Sequence, residues 1–380
     1  MRRIKVIINF RKTARVVATL TAATSLGLVG LAGTASAKAK PKPKPVPAAT
    51  VKVEKPTKSA NITEAGSSLL YPLWNLWVPA YQRLYHNVNL TPGAGGSGLG
   101  ITEAANGTIQ IGSSDAYLSP LQLKANPGLM NIPVAISSQL MVFNIPGVHT
   151  HINLNGQLLA KMYSGQITNW DDPAIAAVNK GNPLPNLAIV PLYRTDGSGD
   201  TFLFSTYLYD QKGWTIAPGT SITWPSNPAL IGENGNGGMV SGCQAHPGCI
   251  AYIGASYLIS VLGDGLTYAS VENGLGKYLP WNLPGVAAEA ASFTKFTGNG
   301  AVSMIDAKAK GGYPIINYEY AIVKQKQATA ANASAVRSIL EWAIDPTYGG
   351  QTNFLAQVNF LPLPAAYVAG SIKLIHSIHS

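Results

Sequence analysis

The sequence predicts an α/β protein whose two lobes are joined by extended strands, with a ligand cleft between the lobes. From Ser59 onward, short apolar runs alternate with amphipathic or apolar helical stretches, which is the pattern of α/β domains. Two long extended stretches, residues 130–147 and 313–326, would each cross from one lobe to the other. We therefore assign residues 59–138 and 318–380 to lobe I, and residues 139–317 to lobe II.

The elements of this body follow from the spacing of its apolar residues. A helix is predicted over residues 69–85, despite Pro79, because apolar residues recur every three or four positions on two faces. A second helix is predicted over residues 333–344. Short apolar or alternating runs bounded by turn residues predict strands. These lie at residues 60–66, 87–93, 109–114, 140–145, 187–193 and 249–254.

The first 37 residues have the order of a secretory signal. Six basic residues between positions 2 and 15 are followed by an apolar stretch and then by TASA, so we expect cleavage after Ala37. The alternative is an uncleaved membrane anchor, although the apolar stretch is barely long enough to span a bilayer. Thr34 stands where a lipid-modified exported protein carries Cys, so lipidation cannot occur at that position.

Residues 38–58 are rich in Lys and Pro and are predicted to form an extended linker. Their positive charges could alternatively hold the segment against an anionic wall or membrane surface. The chain has 27 Lys and Arg and 17 Asp and Glu, and 13 of the basic residues with one acid, Glu54, precede Ser59. The body is therefore slightly acidic, and the net charge of +10 does not indicate a nucleic-acid partner.

The chain has two cysteines, Cys243 and Cys249, in the segment CQAHPGC. In an exported protein, a pair six residues apart that brackets a Pro-Gly turn indicates a small disulfide loop. His246 lies between them, so a metal site is the alternative, although three ligands in one short loop are a weak signal.

Three turns rich in Gly and Ser each lie between a predicted strand and a predicted helix, at residues 64–70, 93–101 and 196–202. The first turn of a helix has unpaired backbone N–H groups and the positive end of the helix dipole, so each junction can hold an anion. Serine is also a common helix cap without any ligand. Three such junctions in one chain favour an anion site.

Arg194 and Asp115 are the charged candidates near these turns. A guanidinium binds phosphate or carboxylate oxygens with two parallel hydrogen bonds. The alternative for Arg194 is a salt bridge with Asp196 or Asp200, and spacing alone does not separate the two. Asp115 ends a strand, where an aspartate can also simply cap a turn.

Catalytic patterns are weak in this chain. GAGGSG at residues 93–98 fits a dinucleotide-binding pattern, but a single match is weak evidence, and the serine-hydrolase pattern G-x-S-x-G fails at Ser97 and at Ser198. There is no P-loop, no H-E-x-x-H and no histidine in a triad context. We therefore do not predict an enzyme.

Taken together, these segments resemble the substrate-binding protein of the bacterial phosphate-specific ABC transporter, the PstS family. The resemblance extends from about Ile62 to Leu363. It is carried by GSSLLYPLWNLW, GSGLGITEAANGTIQIGSSDAYLS, MYSGQITNWDDPAI, VPLYRTDGSGDTFLF, GENGNGGM, GCIAYIG and YPIINYEYAIV. It implies a type II periplasmic-binding-protein-like fold.

The resemblance also implies which residues bind phosphate. Two positions depart from the common family pattern: Leu69 replaces an aromatic residue and Asp200 replaces a threonine. An acid at position 200 must point away from the anion or pair with a cation. The implied ligands are Ser68, Leu69, Ser97, Asp115, Arg194, Ser198, Gly199 and Asp200. Asp115 would accept a proton from phosphate and repel sulfate, which has none.

The function implied is high-affinity binding of inorganic phosphate outside the cell. The receptor would deliver it to the permease and ATPase subunits of an ABC importer, acting as a monomer in the periplasmic space or at the cell surface, without a metal or other cofactor. Two alternatives remain open. One is a secreted phosphatase that uses Ser97 or Ser198 as nucleophile, and the other is a surface phosphate sensor or adhesin.

Overall fold

The computed structural model describes residues 51–380. The predicted signal peptide and residues 38–50 of the predicted linker lie outside the described residues. The strands are Ala60–Gly66 (β1), Val88–Thr91 (β2), Ile111–Ser114 (β3), Leu129–Phe143 (β4), Asn153–Leu154 (β5), Val190–Arg194 (β6), Ile231–Glu233 (β7), Cys249–Gly254 (β8), Thr267–Tyr268 (β9), Ser270–Glu272 (β10), Tyr278–Leu279 (β11), Met304–Ile305 (β12) and Ile315–Lys324 (β13).

Helices flank these strands along the chain. The α-helices are Tyr71–Gln82 (α1), Ser97–Asn106 (α2), Pro120–Ala125 (α3), Gly156–Tyr163 (α4), Pro173–Val178 (α5), Gly199–Tyr209 (α6), Gly235–Ala245 (α7), Leu258–Gly263 (α8), Leu283–Ala290 (α9), Ala330–Ile344 (α10), Thr352–Leu355 (α11) and Ala365–His376 (α12). The mixed order of strands and helices confirms the predicted α/β class. None of the helices formed by residues 51–380 combines the length and apolar character that a bilayer-spanning helix needs.

The main sheet has ten strands and a mixed pairing pattern. Its order is β2-β1-β3-β13-β4-β8-β6-β7, with β12 added to β13 and β9 added to β4. The pairs β1–β2, β1–β3, β6–β7 and β6–β8 are parallel, whereas β13 and β4 run antiparallel to their neighbours. Each parallel group therefore directs the carboxyl ends of its strands towards one edge, where ligand loops commonly lie. We call β1–β3 with α1 and α2 the β1 side, and β6–β8 with α6 and α7 the β8 side.

The long strands β4 and β13 correspond to the two extended stretches predicted from the sequence. Residues 129–138 of β4 pair with β13, and residues 139–143 pair with β8. One continuous strand thus belongs to both sides of the sheet. The two-lobed fold is confirmed by the family comparisons below, whereas the boundaries of the lobes stay a prediction.

Helix α1 packs in the core of the β1 side. Trp74, Trp77 and Tyr81 are buried, and the Tyr81 hydroxyl donates to Ser338 Oγ of α10 at 2.9 Å. The rings of Trp74 and Trp77 meet edge to face at 5.1 Å, a favourable aromatic geometry. Pro79 lies inside α1 without ending it, as predicted.

The last residues of the predicted linker lie against the folded body. Glu54 accepts hydrogen bonds from Arg337 Nε at 2.7 Å and Nη2 at 3.0 Å, and its backbone N–H donates to Glu341 Oε2 at 2.6 Å. Pro56 is buried. We call residues 51–58 the strap. Residues of α10 and Asn87 supply the partners of the strap, so these last residues of the predicted linker lie against the body and are not solvated on all sides. The bounds of the linker stay a prediction.

Cys243 and Cys249 form a disulfide, as predicted. The bond joins the C-terminal end of α7 to the first residue of β8. It closes the turn between two elements of the β8 side, whose other ends carry part of the site described next.

Candidate functional site

The three Gly/Ser junctions and Arg194 converge where the two sides of the sheet meet, at the carboxyl ends of their parallel strands. The first junction follows β1, the second begins α2, and the third begins α6, while Arg194 is the last residue of β6. All eight residues predicted as ligands are buried there: Ser68, Leu69, Ser97, Asp115, Arg194, Ser198, Gly199 and Asp200. The structure therefore gathers the whole predicted set.

The first junction provides two serines with different neighbours. The Ser67 hydroxyl donates to Asp115 Oδ1 and accepts from the Leu70 N–H at 3.0 Å. Ser68 Oγ accepts from Asn236 N and Nδ2, each at 3.1 Å. Ser68 thus already contacts the β8 side, and Ser67, which the sequence analysis did not select, is the direct partner of Asp115.

Leu69 contributes an apolar contact at the same junction. Its side chain is fully buried against Gly254, where any Cβ would clash with the leucine. Its carbonyl accepts from Ser256 Oγ at 2.8 Å. The leucine therefore packs the junction closely against the end of β8.

Asp115 lies at the end of β3 among hydroxyl groups of the β1 side. Ser97, the first residue of α2, has its Oγ 3.3 Å from Asp115 Oδ2 and accepts from the Asp115 N–H at 3.2 Å. Burial, and then the charges of Glu319 and Asp200, raise the pKa of Asp115. Asp115 is thus an acceptor in a nearly water-free setting, where its ionised form is costly.

Arg194 forms both of the salt bridges that the sequence left as alternatives. Its Nε donates to Asp196 Oδ1 at 2.6 Å, its Nη2 donates to Asp196 Oδ2, and its Nη1 donates to Asp200 Oδ2 at 3.0 Å. Burial raises the pKa of the Asp196 carboxyl, but the adjacent Arg194 outweighs burial and the pKa lies below the usual value. The guanidinium is thus held in one orientation by two aspartates.

Asp200 pairs with a cation, which is one of the two arrangements expected for an acid at this position. Besides Arg194, Asn236 Nδ2 donates to its Oδ2 at 2.6 Å and Gln139 Nε2 donates to its Oδ1 at 3.1 Å. Burial raises the pKa of Asp200, and these three donors oppose the rise. The Asp200 carboxylate therefore accepts from three side chains, Arg194, Asn236 and Gln139.

The N-termini of two helices of the β8 side point into the site. Ser198 caps α6 by accepting from the Thr201 N–H at 3.2 Å, so the helix-cap alternative is also correct for this serine. At the start of α7, the Gly235 N–H donates to Asp196 Oδ1 at 3.1 Å. The sequence analysis missed α7 as a contributor, because its first turn, GNGG, has no serine or cation to mark it.

The two sides touch each other directly at these loops. A Cβ on Gly98 would lie 3.0 Å from Gly197 Cα, and the Gly98 N–H donates to the Gly197 carbonyl at 2.7 Å. A Cβ on Gly199 would clash with Asp115 and Ser97. Only glycine permits so close an approach of the two loops, and Arg194 is itself buried.

Comparison with known proteins identifies the family. The family model described as PBP superfamily domain matches residues 51–347. Phosphate-binding protein PstS from Xylella fastidiosa (strain Temecula1 / ATCC 700964) is 31% identical over 317 residues, which cover 81% of this chain and 83% of that protein. The chain belongs to the PstS family. PstS2 from Mycobacterium bovis (strain BCG / Pasteur 1173P2) is 28% identical over 327 residues, covering 83% of this chain and 86% of the relative.

Solved structures show the same fold. A phosphate-binding protein from Stenotrophomonas maltophilia has a TM-score of 0.66 at 19% identity and covers 83% of this chain and 94% of its own. A putative phosphate ABC transporter substrate-binding protein with bound phosphate from Clostridium perfringens has a TM-score of 0.58 at 17% identity, covering 80% of this chain and 100% of its own. These likenesses, with the family match, confirm the predicted type II two-lobed fold.

Four site residues of this PstS-family member were not selected from the sequence: Ser67, Gln139, Asn236 and Glu319. Ser67 was adjacent to a selected serine and could have been included with it. The other three lie in β4, α7 and β13, and their polar side chains give no local signal of their contacts. Their assignment requires the fold.

Proposed function

We propose that this chain binds inorganic phosphate outside the cell and delivers it to an ABC-type importer. The main support is the convergence of one buried guanidinium, the serines of three loops and two helix N-termini at a single point. These groups are the donors that a dehydrated tetrahedral oxyanion needs. Membership of the PstS family supports the same ligand.

We assign the eight predicted residues as the phosphate ligands. Ser68, Ser97 and Ser198 would donate their hydroxyls, and Leu69, Gly199 and Asp200 would donate backbone N–H groups. Arg194 would neutralise charge, and Asp115 would accept the proton of the ligand. Because Asp196 and Asp200 hold the guanidinium in place, Arg194 would not need to reorient when phosphate arrives.

Binding without catalysis is part of the proposal. A serine nucleophile needs a general base, and within residues 51–380 no hydrogen bond joins Ser97 or Ser198 to a histidine. The carboxylate next to Ser97, Asp115, lies 3.3 Å from Ser97 Oγ and already accepts from Ser67. In the same part of the chain, no three His, Cys, Asp or Glu side chains are grouped as metal ligands. The geometry therefore favours a binding protein over a secreted phosphatase.

Delivery would use the contacts between the two sides. The Gly98–Gly197 contact closes the site, so phosphate would be exchanged when the lobes separate. We infer that the closed form is recognised by the permease and ATPase subunits of the importer, in the periplasmic space or at the cell surface. The lobes would be residues 59–138 with 318–380, and residues 139–317, and the receptor would act as a monomer.

Calorimetric titration tests this function. Protein beginning at Lys38, stripped of bound ligand, is titrated with phosphate and then with sulfate, without added metal. We expect tight one-to-one binding of phosphate and far weaker binding of sulfate. If neither anion binds, the family resemblance describes only the fold and the proposed function is wrong. Release of phosphate from an ester substrate would instead support the phosphatase alternative.

A further inference from the structure

Ser68, in the first junction, meets the start of a helix on the opposite side of the sheet. Ser68 lies between β1 and α1, whereas Asn236 is the second residue of α7 on the β8 side. The serine Oγ accepts from the backbone N–H and from Nδ2 of Asn236, each at 3.1 Å. Both residues are buried, so water does not compete for these two hydrogen bonds.

The other contacts of the Asn236 amide fix its orientation. Its Oδ1 accepts from the Gly254 N–H at 2.8 Å, and its Nδ2 donates to Asp200 Oδ2 at 2.6 Å. The Gly254 N–H requires an acceptor, and Asp200 Oδ2, which also accepts from Arg194, requires a donor. Since Nδ2 has two hydrogens, one is directed to Asp200 and the other to Ser68.

Two accepted hydrogen bonds limit what the Ser68 hydroxyl can still do. A hydroxyl oxygen has two lone pairs and one hydrogen. Both lone pairs face donors of Asn236, so the oxygen cannot accept from a further group. Within residues 51–380, no hydrogen bond is donated by the Ser68 hydroxyl. A buried donor without an acceptor is costly, and an anion in the site would supply the acceptor.

The start of α7 makes this hydroxyl a stronger donor. The side chain of Asn234, which precedes the helix, does not cap it. The Gly235 N–H donates instead to Asp196 Oδ1 at 3.1 Å, and the Asn236 N–H donates to Ser68 Oγ. Hydrogen bonds in a chain polarise one another, and this chain begins at the positive end of a helix dipole. Helix α7 would therefore act on an anion through Ser68.

We propose that Asn236 is a positioning residue that makes Ser68 a donor only, so that Ser68 binds an unprotonated oxygen of phosphate. This inference rests on the proposed function. A serine without these two bonds could also accept from the P–OH group of the ligand. With them, the protonated oxygen is excluded from Ser68 and is left to Asp115, the proposed proton acceptor. Asn236 thereby helps to orient the anion, although it is not among the proposed ligands.

A double-mutant cycle of Ser68→Ala and Asn236→Ala tests this role. Phosphate dissociation constants of the parent, both single variants and the double variant are measured by calorimetry on protein beginning at Lys38. We expect each single substitution to weaken binding by about tenfold or more. Asn236→Ala should weaken it by only about twofold when position 68 is already alanine. Equal factors in the two backgrounds overturn the inference, because Asn236 would then act independently of Ser68.

Asn236→Asp reverses one of the two hydrogen bonds with little change in shape. A carboxylate cannot donate, so the Ser68 hydroxyl would turn its hydrogen towards it and away from phosphate. The new charge also repels the anion and Asp200, so the substitution is repeated together with Ser68→Ala, which keeps the charge and removes the hydroxyl. We expect Asn236→Asp to weaken binding more than Asn236→Ala, and part of this extra loss to disappear with Ser68→Ala. An extra loss that stays the same comes from charge alone and contradicts the inference.

Asn273→Ala is the matched control. Asn273 is another buried asparagine, and its Nδ2 donates to the carbonyls of Ala309 at 3.3 Å and Gly312 at 3.1 Å. Neither partner belongs to the site, so the substitution should lower the free energy of unfolding without changing phosphate affinity. Chemical denaturation and calorimetry measure the two quantities. If Asn273→Ala weakens phosphate binding as strongly as Asn236→Ala does, the effect is that of losing any buried amide, and the inference is overturned.

Proton NMR of the parent keeps the inference testable if the Asn236 variants do not fold. The hydroxyl hydrogen of Ser68 is assigned by its absence in Ser68→Ala. Phosphate should slow its exchange with water, because the ligand supplies its acceptor. If bound phosphate leaves this exchange unchanged, Ser68 is not the donor and the inference is overturned.

The same measurements separate this inference from the proposed function. If the parent binds no phosphate, the proposed function fails, and the role of Asn236 fails with it. If the parent binds phosphate but the two substitutions act independently, only the role of Asn236 is wrong.

Discussion

Arginine pairs with carboxylates in two regions of this molecule, and the two regions differ in their access to water. Arg194, with Asp196 and Asp200, has a side-chain exposure of 1%, whereas Arg337, with Glu54 of the strap, has 22%. Both arginines use Nε and Nη2 to hold one carboxylate. Water can solvate a charge that has lost its partner at Arg337 but not at Arg194. Removal of one partner should therefore cost more stability at Arg194 than at Arg337.

The difference also concerns the balance of charge. The buried arginine forms salt bridges with two aspartates. The partly exposed one forms a salt bridge with one glutamate, Glu54, and also donates to the Ile378 carbonyl at 2.7 Å. The exposed pair joins the strap to α10 and the C-terminal segment. The buried cluster fixes a cation where an anion is proposed to bind. The degree of burial therefore distinguishes the two pairs. The buried pair belongs to the proposed ligand site, and the more exposed pair attaches the strap to the body.

The largest effects are expected at Arg194. Arg194→Ala leaves Asp196 and Asp200 buried without their cation, and the free energy of unfolding should fall by about 3–5 kcal/mol. Arg194→Lys keeps the charge but loses the planar pair of donors, so phosphate affinity should fall even where the protein stays folded. Chemical denaturation and calorimetry measure the two effects. Arg337→Lys is the matched control, and unchanged phosphate affinity in Arg194→Lys would remove Arg194 from the ligand set.

An intermediate effect is expected at Asp115, an acid of the site that forms no salt bridge with Arg194. Asp115→Asn replaces an acceptor-only carboxylate by an amide that can also donate. Phosphate should bind more weakly. The discrimination against sulfate should largely disappear, because a repulsive contact of this kind contributes several kcal/mol to it. Titration of the parent and the variant with both anions measures the ratio. A variant that excludes sulfate as well as the parent does would refute this role of Asp115.

The smallest effect is expected at the strap. Arg337→Ala should lower the free energy of unfolding by about 1 kcal/mol or less, because water can solvate Glu54 once its partner is lost. The loss should shrink further at high salt, which screens exposed charges. Denaturation at low and high ionic strength measures both effects, with phosphate affinity unchanged throughout. A loss as large as that of Arg194→Ala would show that burial is not what separates the two pairs.

Local sequence predicted most of the elements that form the site. The Gly/Ser junctions carry their own turn and cap chemistry, so the starts of α2 and α6 could be placed without any tertiary information. The cysteine spacing likewise indicated the disulfide loop that the structure shows. In these places the interactions that decide the structure lie within a few residues of one another.

Predictions failed where distant segments supply the partners. Strand β6 begins at Val190 and not at Leu187, because the Leu187 carbonyl accepts from the Trp170 N–H and the Ile189 N–H donates to Thr168. Helix α1 begins at Tyr71, two residues later than predicted, since Leu69 is held by the end of β8. Gln139, Asn236 and Glu319 reach the site from three different elements. Polar composition alone cannot reveal such contacts.

The unbroken course of β4 has a mechanical consequence. Its hydrogen-bonding partner changes from β13 to β8 between Ser138 and Gln139, with no loop between the two parts. One continuous strand therefore connects the two sides of the sheet. Such a connection resists sliding of one side along the other, and it permits rotation of the sides about the strand more easily. A small rotation about this axis becomes a larger displacement at the loop tips. The distance between Gly98 and Gly197 would then be the most sensitive gauge of that rotation.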